Sequence, residues 1–179
     1  MIFVHTLSAA MMLENTVSMP YEVIVGNLLG GPFSAPVFMF CMGICLCYSR
    51  RNSAKSIFNR ALRIAGIAFL LEVTRTAIPG FLEWLIYRDP ECIDYVRLFF
   101  GVDILQFAAL ALLTIALFKK LKLKPVVMLI IAVVCSVAGQ LLQGVSTGSV
   151  VGDSITGFIW RSYEYSLFPL LSWLIIPVC

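Results

Sequence analysis

The sequence predicts an all-α fold: a polytopic helical membrane protein with about six transmembrane segments, the first and last of them truncated. Three observations lead there. Of 179 residues, 60% are hydrophobic and 13% charged, whereas soluble chains carry roughly 45–50% and about 25%, and a soluble domain this small has too little interior for so much apolar surface. Nine of the 13 Lys and Arg residues fall in two acid-free stretches: Arg50, Arg51, Lys55, Arg60 and Arg63, then Lys119, Lys120, Lys122 and Lys124. This is the positive-inside pattern of two cytoplasmic loops, 49–63 and 119–124. Finally, apolar runs alternate with polar punctuation along the whole chain, so no separate soluble domain has room.

Taken in order, the first apolar run covers residues 1–13 and stops before Glu14 and Asn15, ahead of a stretch with Pro20, Gly26, Gly30, Gly31 and Pro32. Residues 33–48 form the second run. A basic loop over 49–59 leads to the third, 60–78, which Pro79-Gly80 ends. The piece 81–87, with Trp84 and Tyr87, suits an interfacial aromatic belt. After a charged turn at 88–97 the fourth run spans 98–118, and the lysine loop separates it from the fifth, 125–142. A polar loop over 144–165 precedes the sixth, 166–179. Runs of 13 and 14 residues rise only about 20 Å as helices, less than the roughly 30 Å hydrocarbon core, so the single domain over 1–179 is expected to be incomplete at both ends, with shorter re-entrant helices as the alternative. Alternation places both termini and both basic loops inside an integral membrane protein, with the acid-richer loops 14–32, 79–97 and 144–165 outside. Nucleic-acid binding does not fit basic clusters interrupted by spans.

Ionisable groups at membrane depth are costly and mark function by default. His5, the single histidine, sits in the first apolar run and suits general-base work near neutral pH; it equally suits a structural hydrogen bond between helices. Asp103 and Gln106 stand at i, i+3 at the outer part of the fourth run, either orienting an imidazole or an acceptor or, for Asp103, solvated at the interface. Gln140 and Gln143, with Ser136, make a similar stripe in the fifth run. Glu72 and Arg75, also at i, i+3, read as an internal ion pair. Arg60 and Arg63 share a face at the inner mouth of the third run, as snorkelling anchors or as phosphate ligands. Cys41 and Cys45 share a helix face without a second histidine or carboxylate beside them, so packing outweighs a metal site.

In order, Met1-Ile-Phe-Val-His5, Ser34-Ala-Pro-Val-Phe-Met-Phe-Cys-Met-Gly43 with Arg50-Arg51 after it, Asn59-Arg-Ala-Leu-Arg63, Gly101-Val-Asp-Ile-Leu-Gln106 and Phe168-Pro-Leu-Leu-Ser-Trp173 resemble the motifs of the membrane acyltransferase family that includes heparan-α-glucosaminide N-acetyltransferase and its bacterial relatives. The chain departs from that pattern in starting after the family's acidic residue and Arg-Gly pair, in carrying Ser172 where the family often has proline, and in stopping soon after Trp173. The resemblance implies transfer of an acetyl group from cytosolic acetyl-CoA to an amine or hydroxyl of a sugar or glycan on the far side, without a metal. It implies a catalytic set of His5, as the base that deprotonates the acceptor or as a transient acyl carrier, with Asp103 and Gln106 orienting His5 or the acceptor, and it places Arg50, Arg51, Arg60 and Arg63 where a coenzyme phosphate enters. The partners it implies are acetyl-CoA and a glycan acceptor beside the lipid bilayer, in the plasma membrane of a bacterium; whether the chain forms a homo-oligomer stays open. A small transporter or permease subunit, with His5, Glu72–Arg75 and Gln140/Gln143 lining a path, is the competing class; no internal repeat supports it.

Overall fold

The computed structural model describes residues 35–87, 99, 101–160 and 168–178. Every regular element among them is helical: α1 (Ala35–Tyr48), α2 (Ala54–Glu72), a π-helical turn (Val73–Ala77), α3 (Ile78–Tyr87), α4 (Ile104–Lys120), α5 (Pro125–Leu141), α6 (Val150–Thr156), α7 (Leu170–Trp173) and α8 (Ile175–Val178). The first apolar run, with His5, lies outside the described residues. The all-α class is therefore met. Among the described residues no helix is long and apolar enough to cross a membrane: α2 carries Lys55, Arg60, Arg63 and Glu72 in its 19 residues, and α4 and α5 have 17 each.

Helices α1 and α5 occupy the expected apolar runs, but other boundaries differ: α4 starts at Ile104 rather than at 98, α6 lies within the expected polar loop 144–165, and the sixth run holds the two short helices α7 and α8. The basic loop is shorter than expected because Ser53 caps α2 early, its side chain accepting from the Ser56 N–H at 3.3 Å, the usual role of serine at an N-cap. Pro79-Gly80 does not end the third run. The helix widens into the π turn instead, with the Ile78 N–H bonded to the Val73 carbonyl five residues back. Carbonyls loosened by such a turn need other donors. Thr74 Oγ1 donates to Leu71 O at 2.9 Å and to Leu70 O at 3.2 Å, and Pro79, lacking an N–H, sits at the second residue of the resumed helix, where its missing donor costs least.

The most buried helix is α4. Ala108, Ala109, Ala111 and Ala116 are buried, small residues that let neighbouring backbones approach closely. On one side Leu112, Ile115 and Ala116 pack with Ile57 and Ala61 of α2 and Leu46 of α1. Towards its N-terminus Ile104, Phe107 and Ala111 pack with Ala35 and Met39 of α1, against Phe168, Trp173 and Ile176. The C-terminal helices dock on glycine notches. A Cβ at Gly43 of α1 would collide with the Pro177 carbonyl, and one at Gly139 of α5 would lie 2.8 Å from both Leu171 Cβ and Ser172 N; beside it Ser136 Oγ donates to Ser172 O at 3.0 Å.

The turn after α4 brings the two basic stretches to one end of the helices. Lys122 adopts φ 52°, with the Leu123 N–H on Phe118 O and the Lys122 N–H on Lys119 O, each at 3.1 Å, the bond pattern of a Schellman cap. Across the gap the Lys119 ammonium donates to the side-chain oxygen of Asn52 and, at 3.4 Å, to its carbonyl. Away from the packed seams the helices present apolar surface: Val37, Phe38, Phe40 and Ile44 on α1, Leu62, Ile67, Phe69 and Leu70 on α2, and Val126, Ile130, Val133, Val134 and Val137 on α5 are all exposed.

Candidate functional site

Two clusters stand at opposite ends of α2. The first is built where the π turn meets the start of α4. Asp103 is the N-cap of α4: its Oδ1 accepts from the Ile104 N–H at 2.7 Å, and Gln106 Oε1 accepts from the Asp103 N–H at 2.9 Å. The i, i+3 spacing of this pair is thus a capping box, not the shared helix face expected from the sequence, because Gly101, Val102 and Asp103 precede the helix rather than belong to it.

Glu72 is the centre of the cluster. Its side chain is 4% exposed, and both carboxylate oxygens are engaged. Oε1 takes Arg75 Nη2 at 2.8 Å and Gln106 Nε2 at 3.3 Å; Oε2 takes Thr76 Oγ1 at 3.2 Å. Arg75 also reaches Asp103 Oδ2 with Nη1 at 3.2 Å. A buried charge persists only when paired and hydrogen-bonded, and here one guanidinium serves two carboxylates, leaving a formal charge of −1. Such π turns recur at functional positions. Glu72 and Gln106 also line a cavity of about 240 Å³, otherwise walled by Ala65, Ala68, Phe69, Phe99, Leu110 and Phe158 among others.

The second cluster is basic. Arg51, Lys55, Arg60 and Arg63, with Ser53, Ser56 and Asn59, line an open cleft of about 320 Å³. Arg60 is steadied by Ser49, its Nη2 donating to Ser49 Oγ at 3.0 Å. Arg60 and Arg63 also border an apolar pocket of about 290 Å³ formed by Met42, Cys45, Leu46, Ile64 and Leu112. Guanidinium forks suit phosphate oxygens, and an apolar pocket behind them suits an uncharged chain attached to the phosphate. Arg63 and Glu72 are nine residues apart on α2, about 14 Å of rise.

Of the residues singled out from the sequence, Asp103 and Gln106 come together with Glu72 and Arg75, and Arg51, Arg60 and Arg63 share one cleft. Arg50 is exposed and lines neither pocket. Gln140 and Gln143 are exposed as well and line neither the basic cleft nor the Glu72 cavity. Cys41 and Cys45 are exposed on α1. Sequence reasoning missed Thr76 as a partner of Glu72, although Glu72-x-x-Arg75-Thr76 has the i, i+3, i+4 spacing that puts all three on one helix face. It also missed the bond from Gln106 to Glu72, which spans 34 residues.

A family model described as heparan-alpha-glucosaminide N-acetyltransferase, catalytic, matches residues 1–177. No curated protein and no solved structure matches the chain.

Proposed function

Because the chain belongs to the heparan-alpha-glucosaminide N-acetyltransferase catalytic family, we propose that it is a membrane-embedded acetyltransferase that uses acetyl-CoA at its basic end and acetylates an amine or hydroxyl of a sugar or glycan at the other. The observation that carries this reading is the arrangement on α2. An arginine-lined cleft with an apolar pocket behind it stands at one end, and a buried carboxylate–amide cluster with its own cavity stands at the other.

In this reading Arg51, Arg60 and Arg63 hold the coenzyme's phosphates, and the pocket of Met42, Cys45, Leu46, Ile64 and Leu112 takes its uncharged arm. Acetyl-CoA supplies a thioester carbonyl and a thiol leaving group. His5 takes the proton from the acceptor as its nitrogen or oxygen bonds to that carbonyl carbon; the carbon–sulfur bond breaks, and the proton passes to the departing thiolate. Glu72 and Gln106, which line the cavity, hold the acceptor. Asp103, whose oxygens are taken by the Ile104 N–H and Arg75, is a positioning residue: it sets the head of α4 and, through it, Gln106.

The membrane placement is supported by the 60% hydrophobic composition, by apolar outer faces on α1, α2 and α5, and by the meeting of both lysine- and arginine-rich stretches at one end through Lys119 and Asn52. Such an end favours the cytoplasmic side.

The test is label transfer from acetyl-CoA carrying a radioactive acetyl group to a panel of amino sugars and glycans, using membranes that contain the chain. Transfer that disappears in His5→Ala, with acetyl-CoA binding retained, is the expected result. Absence of both transfer and acetyl-CoA binding in the unmodified chain overturns the reading.

A further inference from the structure

On the flank of the α2–α4 seam beside Phe58 and Leu117, a groove of about 620 Å³ is lined by Ala54, Phe58, Leu113, Ala116 and Leu117 and ends at two ammonium groups, Lys55 and Lys120. Leu113 also lines the cavity of Leu110 and Phe69, so the apolar surface continues past it. We propose that this groove binds one anionic phospholipid, its phosphate between Lys55 and Lys120 and one acyl chain along Phe58, Leu117 and Leu113. The proposal rests on the chain lying in a bilayer.

Three features argue for that occupant. The first is charge. Lys55 and Lys120 are exposed and make no ion pair among the described residues, whereas Lys119 is already tied to Asn52. The N-terminus of α2 adds positive character at the same end. A phosphodiester is the complement of two such point charges, and the choline of a zwitterionic lipid would bring a third cation beside them. The second is the body of the groove, which offers hydrocarbon side chains and no acid. The third is length. Along α4 the groove runs from Lys120 to Leu113, seven residues or about 10 Å of helix rise, which keeps a phosphate at the lysines and the first part of one acyl chain within a leaflet about 15 Å deep. The arginine cleft assigned to the coenzyme shares only Lys55 with this groove, so Lys120 and Leu117 report on the lipid alone.

The experiment reconstitutes the full chain in bilayers of equal parts phosphatidylglycerol and phosphatidylcholine, extracts it in mild detergent and measures retained lipid by mass spectrometry. The expected result is retained phosphatidylglycerol above its bulk share. Lys120→Gln should lower that enrichment about fivefold, the worth of one lysine beside an anionic lipid surface, and Leu117→Trp, which fills the groove, should lower total retained phospholipid. Bulk-like retention in the unmodified chain, or no change in both variants, overturns the proposal. Loss of a dimer in Leu117→Trp with unchanged lipid also overturns it and assigns the groove to a second copy of the chain. Recovery of the chain in the soluble fraction without detergent, scored before any lipid is counted, marks failure of the bilayer reading itself.

Discussion

Arg75 reaches out of its own helix to Asp103, 28 residues further on, with Nη1 3.2 Å from Oδ2, while its Nη2 stays 2.8 Å from Glu72. One side chain therefore joins the π turn to the cap of α4. Because Glu72 is buried and Arg75 is half exposed, the two do not lose equally when the bond is cut: the arginine can turn to solvent, and the carboxylate cannot.

Arg75→Met should accordingly destabilise the chain by about 2 kcal/mol, the scale of leaving a buried polar group short of a partner. Adding Glu72→Gln to it should recover part of the loss, since a neutral amide tolerates burial better than an unpaired charge. Thermal unfolding of the two single variants and the double variant measures this coupling. Strict additivity would show that the contact does not stabilise the fold.

Asp103 combines two tasks that substitution separates. Asp103→Asn keeps an N-cap acceptor and loses the charge facing Arg75; Asp103→Ala loses both. The alanine variant should cost about 1 kcal/mol more than the asparagine variant, the usual worth of an N-cap. Equal melting temperatures would mean that the capping bond adds nothing.

The two ends of α2 should answer to different kinetic parameters. Arg63→Ala should weaken acetyl-CoA binding by about tenfold or more, the worth of one hydrogen bond to a charged group, and the remaining affinity should depend less on salt. Glu72→Gln should leave acetyl-CoA binding intact and slow acetyl transfer by a similar factor. Equilibrium binding and single-turnover transfer separate the two effects. An unchanged affinity in Arg63→Ala would return Arg60 and Arg63 to the role of anchors.

Two glycines should respond in opposite directions. Gly139→Val adds carbon where the Leu171 and Ser172 atoms already lie 2.8 Å from a Cβ, so α7 must move, at a cost of about 1–3 kcal/mol. Gly66, on an open face of α2, has nothing within 4 Å; Gly66→Ala should raise stability by up to about 1 kcal/mol through helix propensity. Paired melting curves decide both.

What could be read from the residues depended on range. Apolar runs placed α1 and α5 closely, because their boundaries at Tyr48, Pro125 and Leu141 coincide with changes in local composition. Pro79-Gly80 misled: proline and glycine break an α-helix on propensity, but a π turn upstream, stitched by Thr74, changes which donors are needed there. Glu72 and Arg75 were legible as a pair through i, i+3 spacing. Their connection to Asp103 and Gln106 was not, since it depends on how α2 packs against α4. The same holds for Arg50: neighbours in sequence suggest equivalence with Arg51, but the chain before Ser53 turns only one of them into the cleft.

The capping box also decides which way round the Gln106 amide stands. Its oxygen is claimed by the Asp103 N–H, so its nitrogen end must face Glu72, an orientation that is often ambiguous for glutamine. That nitrogen carries two hydrogens, and Glu72 accepts one of them. At this spot the cavity wall therefore has a fixed polarity: an N–H from Gln106 beside the anionic oxygens of Glu72. A hydroxyl group, which accepts at its oxygen and donates through its hydrogen, matches both at once, whereas a carbonyl satisfies only the first and an ammonium only the second.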